Sequence, residues 1–174
     1  MSNLDVTSYN RLGQLYTAAN QAAATVTLIN TSTATGFILS NPWGSGKKLI
    51  VVNYCFTYTT APTAIATVWL AGSVAPSPTA HASVTALTVY GADGSGSTTA
   101  SVARAYNAST TPNLPAYLYQ LGNPQVTVAG SAPVTWPLTL EGSIVLVPGS
   151  YIQTSYIGQA PVGQTSAIWA EVSF

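Results

Sequence analysis

The chain reads as an all-β protein, an antiparallel jelly-roll-like β-sandwich with an extended N-terminal arm. Three observations carry that reading. Short runs rich in Val, Ile, Thr, Leu and Tyr recur along the 174 residues, each bounded by Gly, Pro, Asn or Ser clusters. Several of these runs alternate apolar and polar residues, as a strand with one buried face in an antiparallel sheet requires. Helical periodicity is almost absent, and eight to eleven strands over about 150 residues suit a jelly roll.

The elements are expected in this order. Residues 1 to 22 are polar and Ala-rich, with weak helical or coil character, and read as an arm lying across the outside of the domain or onto a neighbour. Residues 23 to 174 form the sandwich, beginning with strands Ala24 to Asn30 and Thr35 to Ser40. Asn41-Pro42 then turns the chain into Lys48 to Thr59, the strongest strand, because its β-branched and aromatic residues suit a pleated surface. Strands Ile65 to Ala71 and Val84 to Tyr90 flank a low-complexity loop, Gly72 to Ser83. The turn Ala92-Asp93-Gly94-Ser95-Gly96 precedes Thr99 to Tyr106, and a second loop, Asn107 to Pro115, precedes Ala116 to Leu121 and the Asn123-Pro124 turn.

The C-terminal third alternates most clearly. Val134, Trp136, Leu138 and Leu140 share one face, while Thr135, Pro137 and Thr139 share the other. Pro137 has no N–H to give a ladder, which puts its strand at an edge or a bulge. Glu141-Gly142 reads as a turn into Ser143 to Val147, and Pro148-Gly149-Ser150 as a turn into Tyr151 to Ile157. The last strand, Ser166 to Phe174, sets Ile168, Ala170, Val172 and Phe174 against Ala167, Trp169, Glu171 and Ser173.

Composition restricts function. Charged residues make up 5% of the chain, against about 25% in an ordinary domain. So little charge leaves the surface to Thr, Ser, Asn, Gln and Gly, or hides it against other subunits, and a homo-oligomer is expected. Four basic and four acidic residues give no net charge, which argues against nucleic acid as a partner, because phosphate neutralisation needs clustered Lys and Arg. No run of about 18 apolar residues marks a membrane span, and the start lacks the basic and apolar regions of a signal peptide. The single Cys55 permits no internal disulfide and reads as a small buried hydrophobe within a strand.

Residues 41 to 52, "NPWGSGKKLIVV", superficially resemble a phosphate-binding loop. That loop needs G-x-x-x-x-G-K-[ST] followed by a helix whose N-terminus faces the anion. Here Asn41 replaces the first glycine, Lys48 replaces the hydroxyl, and a strand-forming run succeeds them. A tight Gly-Ser-Gly turn between strands is the expectation, with Lys47 and Lys48 guarding a sheet edge or making an electrostatic contact with an acidic neighbour.

No catalytic set can be assembled, so no enzymatic activity is expected. Acid-base chemistry needs paired carboxylates or an oriented histidine. Asp5 lies in the arm, Asp93 and Glu141 lie in turns, and Glu171 stands without a partner acid. His81 sits in a Pro-rich loop with no nearby Cys, Asp or Glu, and reads as an exposed loop histidine. No cofactor or metal is expected.

The stretches "GFILSNPWGSGKKLIVV", "EGSIVLVPGSYI" and "SAIWAEVSF" together resemble a group of small virion proteins of tailed bacteriophages, of capsid-decoration or head-fibre type. The resemblance covers roughly residues 36 to 58 and 141 to 174, and it extends to trimeric tumour-necrosis-factor-like folds. It implies a non-enzymatic structural protein on the capsid surface of a virion, made in the host cytoplasm. The expected form is a homotrimer that cements the shell, with the major capsid protein or another virion protein as partner. The aromatics Trp43, Trp69, Tyr117, Tyr119, Tyr151 and Tyr156 exceed what one small core holds, and some are expected at subunit seams.

The rival reading is a surface projection that binds a receptor or host surface glycan. Exposed aromatic rings stack on the apolar faces of pyranoses while amides bond the hydroxyls. Trp43, Tyr90, Tyr106 and Asn107 are the candidates for that contact, or for contact with a protein partner.

Overall fold

The computed structural model describes residues 5–28, 31–60, 64–96, 98, 100–122 and 135–173. In chain order these form helix α1 (Val6–Arg11) and strands β1 (Leu15–Ala19), β2 (Ala24–Thr25), β3 (Thr27–Leu28), β4 (Thr33–Ser40), β5 (Lys47–Thr60), β6 (Ala66–Ser73) and β7 (Ala82–Leu87). Then come β8 (Tyr90–Gly91), β9 (Arg104–Thr110), β10 (Pro115–Gly122), β11 (Thr135–Leu146), β12 (Tyr151–Gly158) and β13 (Val162–Ser173). Residues 1 to 4, Ile29 and Asn30, Thr99, the Asn123-Pro124 turn, Val134 and Phe174 lie outside the described residues.

The strands form two sheets packed face to face. One, the β5 sheet, runs β11-β5-β13-β1-β8, with β2 also paired to β13. The other, the β12 sheet, runs β10-β6-β12-β4-β9-β7, with β3 also on β12. Every described pairing is antiparallel except that of β3 with β12. Take β1, β4, β5, β6, β10, β11, β12 and β13 as the principal strands, in that order. The β5 sheet then reads sixth, third, eighth, first, and the β12 sheet fifth, fourth, seventh, second. That is the jelly roll, with β7, β8 and β9 inserted between its fourth and fifth strands.

Between the sheets lie Phe37, Leu39, Leu49, Val51, Tyr54, Leu70, Ile152 and Trp169, in one apolar cluster. A second cluster of Val26, Phe56, Tyr58 and Val68 is capped by Trp136, stacked on Phe56 at 6.1 Å. Each such side chain contributes about 1.5–3 kcal/mol by leaving water. One chain of hydroxyls pairs across the sheets: the Tyr54 hydroxyl meets Thr154 Oγ1 at 2.7 Å, which meets Thr165 Oγ1 at 2.9 Å. Burial pushes the Tyr54 phenol far above its ordinary pKa, with the Thr154 bond opposing.

The structure corrects several sequence expectations. Residues 15–19 of the expected arm form β1, an interior strand between β13 and β8, with Tyr16 and Ala18 in the core. Leu-Tyr-Thr-Ala-Ala has modest strand propensity, and its pairing with β13 decides its state. Ala24 to Leu28 divides into β2 on one sheet and β3 on the other around buried Val26. The expected strand Val84 to Tyr90 likewise divides, β7 joining the β12 sheet and β8 the β5 sheet. Glu141-Gly142 is not a hairpin turn but an irregularity within β11, which pairs with β5 on both sides of it. Glu141 and Gly142 take φ of 46° and 83° there.

The expected strand Thr99 to Tyr106 is displaced to Arg104–Thr110. The reason is Glu171, whose carboxylate accepts the backbone N–H groups of Val102 (3.0 Å) and Ala103 (3.2 Å). Residues 101 to 103 therefore have no ladder to join. The C-terminal strand is also turned over: Ala167, Trp169 and Glu171 are buried, while Ile168 and Val172 stay half-buried on the outside. Trp169 fills the core, and the buried acid is satisfied by hydrogen bonds, so residue polarity alone misassigns the face.

Candidate functional site

The turn between β4 and β5 projects Trp43 from one end of the sandwich. Ser45 N donates to Pro42 O at 3.2 Å, and Gly44 and Gly46 take φ of 78° and 68°. The chain leaves this turn directly into β5, so no helix N-terminus faces an anion here. Buried Asn41 fastens the turn: Nδ2 donates to Lys47 O and to Leu146 O, both at 2.8 Å. Its backbone exchanges bonds with the Pro148-Gly149 turn, N to Ser150 O at 2.9 Å and O from Gly149 N at 2.8 Å. A Cβ at Gly149 would lie 2.7 Å from Trp43 Cε3 and 2.6 Å from Ser77 O, at a φ of +85°. Glycine is therefore required for the indole and the 77 loop to meet there.

Beside Trp43 lies a cleft of about 220 Å³. Pro42, Pro78 and Pro112 supply apolar wall, Trp43 and Tyr106 supply rings, and Ser40, Asn41, Ser77, Thr79 and His81 supply polar groups. Asn41 Oδ1 is buried with no hydrogen-bond partner. Trp43 is 59% exposed, although its ring is seated on Gly149. It also borders a shallower groove formed with Gly44, Gly46, Lys48, Pro76, Val147 and Pro148.

His81 is not an exposed loop histidine. Its ring lies 5.2 Å from both Tyr106 and Tyr151, and Nδ1 is 2.7 Å from Ser109 Oγ. Burial pushes its pKa down to about 4, so the imidazole is neutral at physiological pH. Burial likewise raises the Tyr106 phenol, with Arg104 opposing. No local sequence signal marks this histidine, because the groups that bury it come from β9 and β12.

Of the glycan candidates, the structure brings Trp43 and Tyr106 to one cleft and separates the other two. Tyr90 stands on the edge strand β8 of the opposite sheet. Asn107 comes directly after Tyr106 on β9 and so points to the other face, where its Oδ1 accepts from Asn20 Nδ2. Asn20 Oδ1 in turn accepts from Thr165 N at 2.9 Å, making these amides an internal clasp.

The two lysines part as well. Lys47 Nζ lies 3.0 Å from Glu171 Oε2, within the chain. Glu171 also accepts from Ser101 Oγ at 2.6 Å, which completes a structural hub. Lys48 borders the shallow groove. Both belong to β5, which lies between β11 and β13, so neither guards a sheet edge. Asp5 caps α1 through Ser8 N at 3.1 Å, and Asp93 accepts from Ser95 N at 3.0 Å within its turn. Among the described residues no group of three or more His, Cys, Asp or Glu could hold a metal ion, and no helix is long and apolar enough to cross a membrane.

No protein-family model matches the chain, and no curated protein or solved structure matches it.

Proposed function

We propose that this chain is a non-enzymatic structural protein of a tailed-bacteriophage virion, a homotrimer that decorates the capsid and stabilises the shell. The observation that carries the reading is the outward face of the β5 sheet. Register places Val145, Ile50, Ala170 and Leu15 in one row across four strands. The next row is Thr139, Asn53, Ile168, Thr17 and Tyr90, and then Pro137, Cys55, Ser166 and Ala19. These rows contain no charged side chain. Leu15 and Ala170 are already buried within the chain, and Cys55 is half-buried on this face rather than in the core. The uncharged remainder, with Val145 exposed and Ile50 and Ile168 half-buried, suits packing against another copy of the chain, where buried apolar area adds about 25 cal/mol per Å².

The capsid assignment rests further on the bacteriophage resemblance of residues 36 to 58 and 141 to 174. Stabilisation would then be mechanical, since a subunit seated across a joint between shell proteins adds buried area there.

Native mass spectrometry and binding to preformed capsids test the two halves separately. The expected mass is three times the 17.9 kDa of the chain. The trimer should resist dilution, protect Cys55 from alkylation, and raise the temperature at which shells rupture. A stable monomer with a freely reactive Cys55 and no affinity for shells would falsify the proposal.

A further inference from the structure

We propose that the cleft beside Trp43 is a binding site for an uncharged saccharide, seating one pyranose ring. The inference is independent of the trimer reading, because it rests only on groups within one chain.

Charge selects the ligand class first. Among the described residues no acidic side chain, lysine or arginine lines the cleft, and its titratable ring nitrogens, those of His81, are packed among Tyr106, Tyr151 and Ser109. A phosphate or carboxylate would find no counter-charge, and a cation would find no anion. The remaining chemistry is that of a sugar: an indole for the C–H face of the ring, and hydroxyl and amide groups for its O–H groups.

The geometry is built in advance. Trp43 exposes more than half its surface, yet its Cε3 edge is fixed against Gly149, so little ring entropy is lost on stacking. Opposite it, Ser77 N donates to Gly149 O at 3.0 Å and Ser77 Oγ accepts from Thr79 N at 3.1 Å, which holds the 77–79 loop at the rim. Pro42, Pro78 and Pro112 stiffen the walls. Ser40, Ser77 and Thr79 add hydroxyls to the same lining.

Size excludes larger ligands. At about 220 Å³ the cleft is smaller than the roughly 300–1,000 Å³ of drug-sized sites. A proline-rich peptide also seeks aromatic and proline-lined walls, but it needs an extended groove, and the hydroxyls of Ser40, Ser77 and Thr79 favour a sugar. A ligand of about a dozen non-hydrogen atoms at ordinary ligand efficiency implies a Kd on the order of 1 mM.

The test titrates the full chain with glucose, galactose, mannose, N-acetylglucosamine and their disaccharides, monitored by saturation-transfer NMR and tryptophan fluorescence. At least one sugar should saturate. Trp43→Ala should weaken that binding at least tenfold, Trp43→Phe should retain part of it, and Tyr90→Ala should leave it unchanged. Should Trp43→Ala fail to fold by circular dichroism, Trp43→Phe and Ser77→Ala carry the comparison. Three outcomes overturn the proposal: no saturation at concentrations on the order of 100 mM, a hundredfold above that Kd; sugar binding indifferent to Trp43 and Ser77; or saturable binding of an octaproline peptide with none of the sugars.

Discussion

On the outward face of the β12 sheet Ile38, Tyr151, Gln153 and Ser155 are all buried, whereas on that of the β5 sheet Ile50, Asn53, Ile168 and Val172 keep part of their surface in water. Topology explains the contrast. β6 and β7 lie on opposite sides of β12 and β4, as do β9 and β10, so both connections must cross the β12 sheet. They bring His81 onto Tyr106 and Tyr151, and Asn113 O to the Tyr151 hydroxyl at 2.6 Å. Asn113 Nδ2 then donates to Ala75 O at 2.9 Å, joining the two loops. On the β5 sheet Leu15 and Ala170 are buried at one corner, but Val145, Ile50, Asn53, Cys55 and Ile168 receive no such covering from the described residues. The insertion β7–β9 thus gives one face a small core of its own, while the middle of the other keeps part of its surface in water.

The sharpest way to break this contrast is to empty the covered face. Tyr151→Ala removes a buried ring that anchors both crossing loops and leaves Asn113 O with the Thr111 hydroxyl as its remaining donor. It should cost about 3–5 kcal/mol, read as a lower urea midpoint with little change in slope. Ile168→Ala on the open face should cost the isolated subunit less than about 1.5 kcal/mol, since only part of that side chain leaves water on folding. Equal losses at the two positions would erase the distinction between the faces.

Acid offers a milder probe of the same covering. His81 has a folded pKa of about 4, against about 6.5 when unfolded, so the folded state favours the neutral ring. Its contribution is therefore fully present above pH 6.5, is lost progressively as pH falls, and is gone below about pH 4. The ring is partly solvated, so the change should fall below the roughly 3 kcal/mol that full linkage gives. Stability curves for the parent and for His81→Gln should converge as pH falls through that window. Parallel curves would mean that the ring is not held neutral.

How far the sequence announced these faces differs between them. Trp136, Leu138 and Leu140 point inward and Thr135, Pro137 and Thr139 outward, as their alternation predicts, and β11 is an edge strand as Pro137 requires. The turn after Ser40 and the strand after it were equally legible, because Gly-Ser-Gly and a β-branched run act locally. β1, the displaced β9 and the half-buried His81 were not, since each is decided by a partner more than twenty residues away. Glu171 shows the limit best: it looks like an outward-facing strand acid, yet Lys47, Ser101, Val102 and Ala103 together make it an inward one. For the candidate site, Trp43 and Tyr106 were readable as aromatic candidates, but their convergence depended on loops whose paths the sequence does not reveal.

The smallest expected effect on the fold is the most informative about assembly. Ile168 occupies the middle of the uncharged rows, between Asn53 on β5 and Thr17 on β1. In Ile168→Lys the aliphatic stem can lie along the same neighbours while the ammonium reaches water, so the isolated subunit should lose no more than about 1 kcal/mol. Packed against another copy, the same ammonium would be buried without an anion, because Asn53, Cys55, Ser166 and Thr17 offer none, and desolvation of an unpaired charge costs several kcal/mol. The variant should therefore run as a single chain with a nearly unchanged urea midpoint at low protein concentration. Unchanged mass would place the subunit contact elsewhere, whereas loss of folding together with mass would show that the open face is covered in every folded copy.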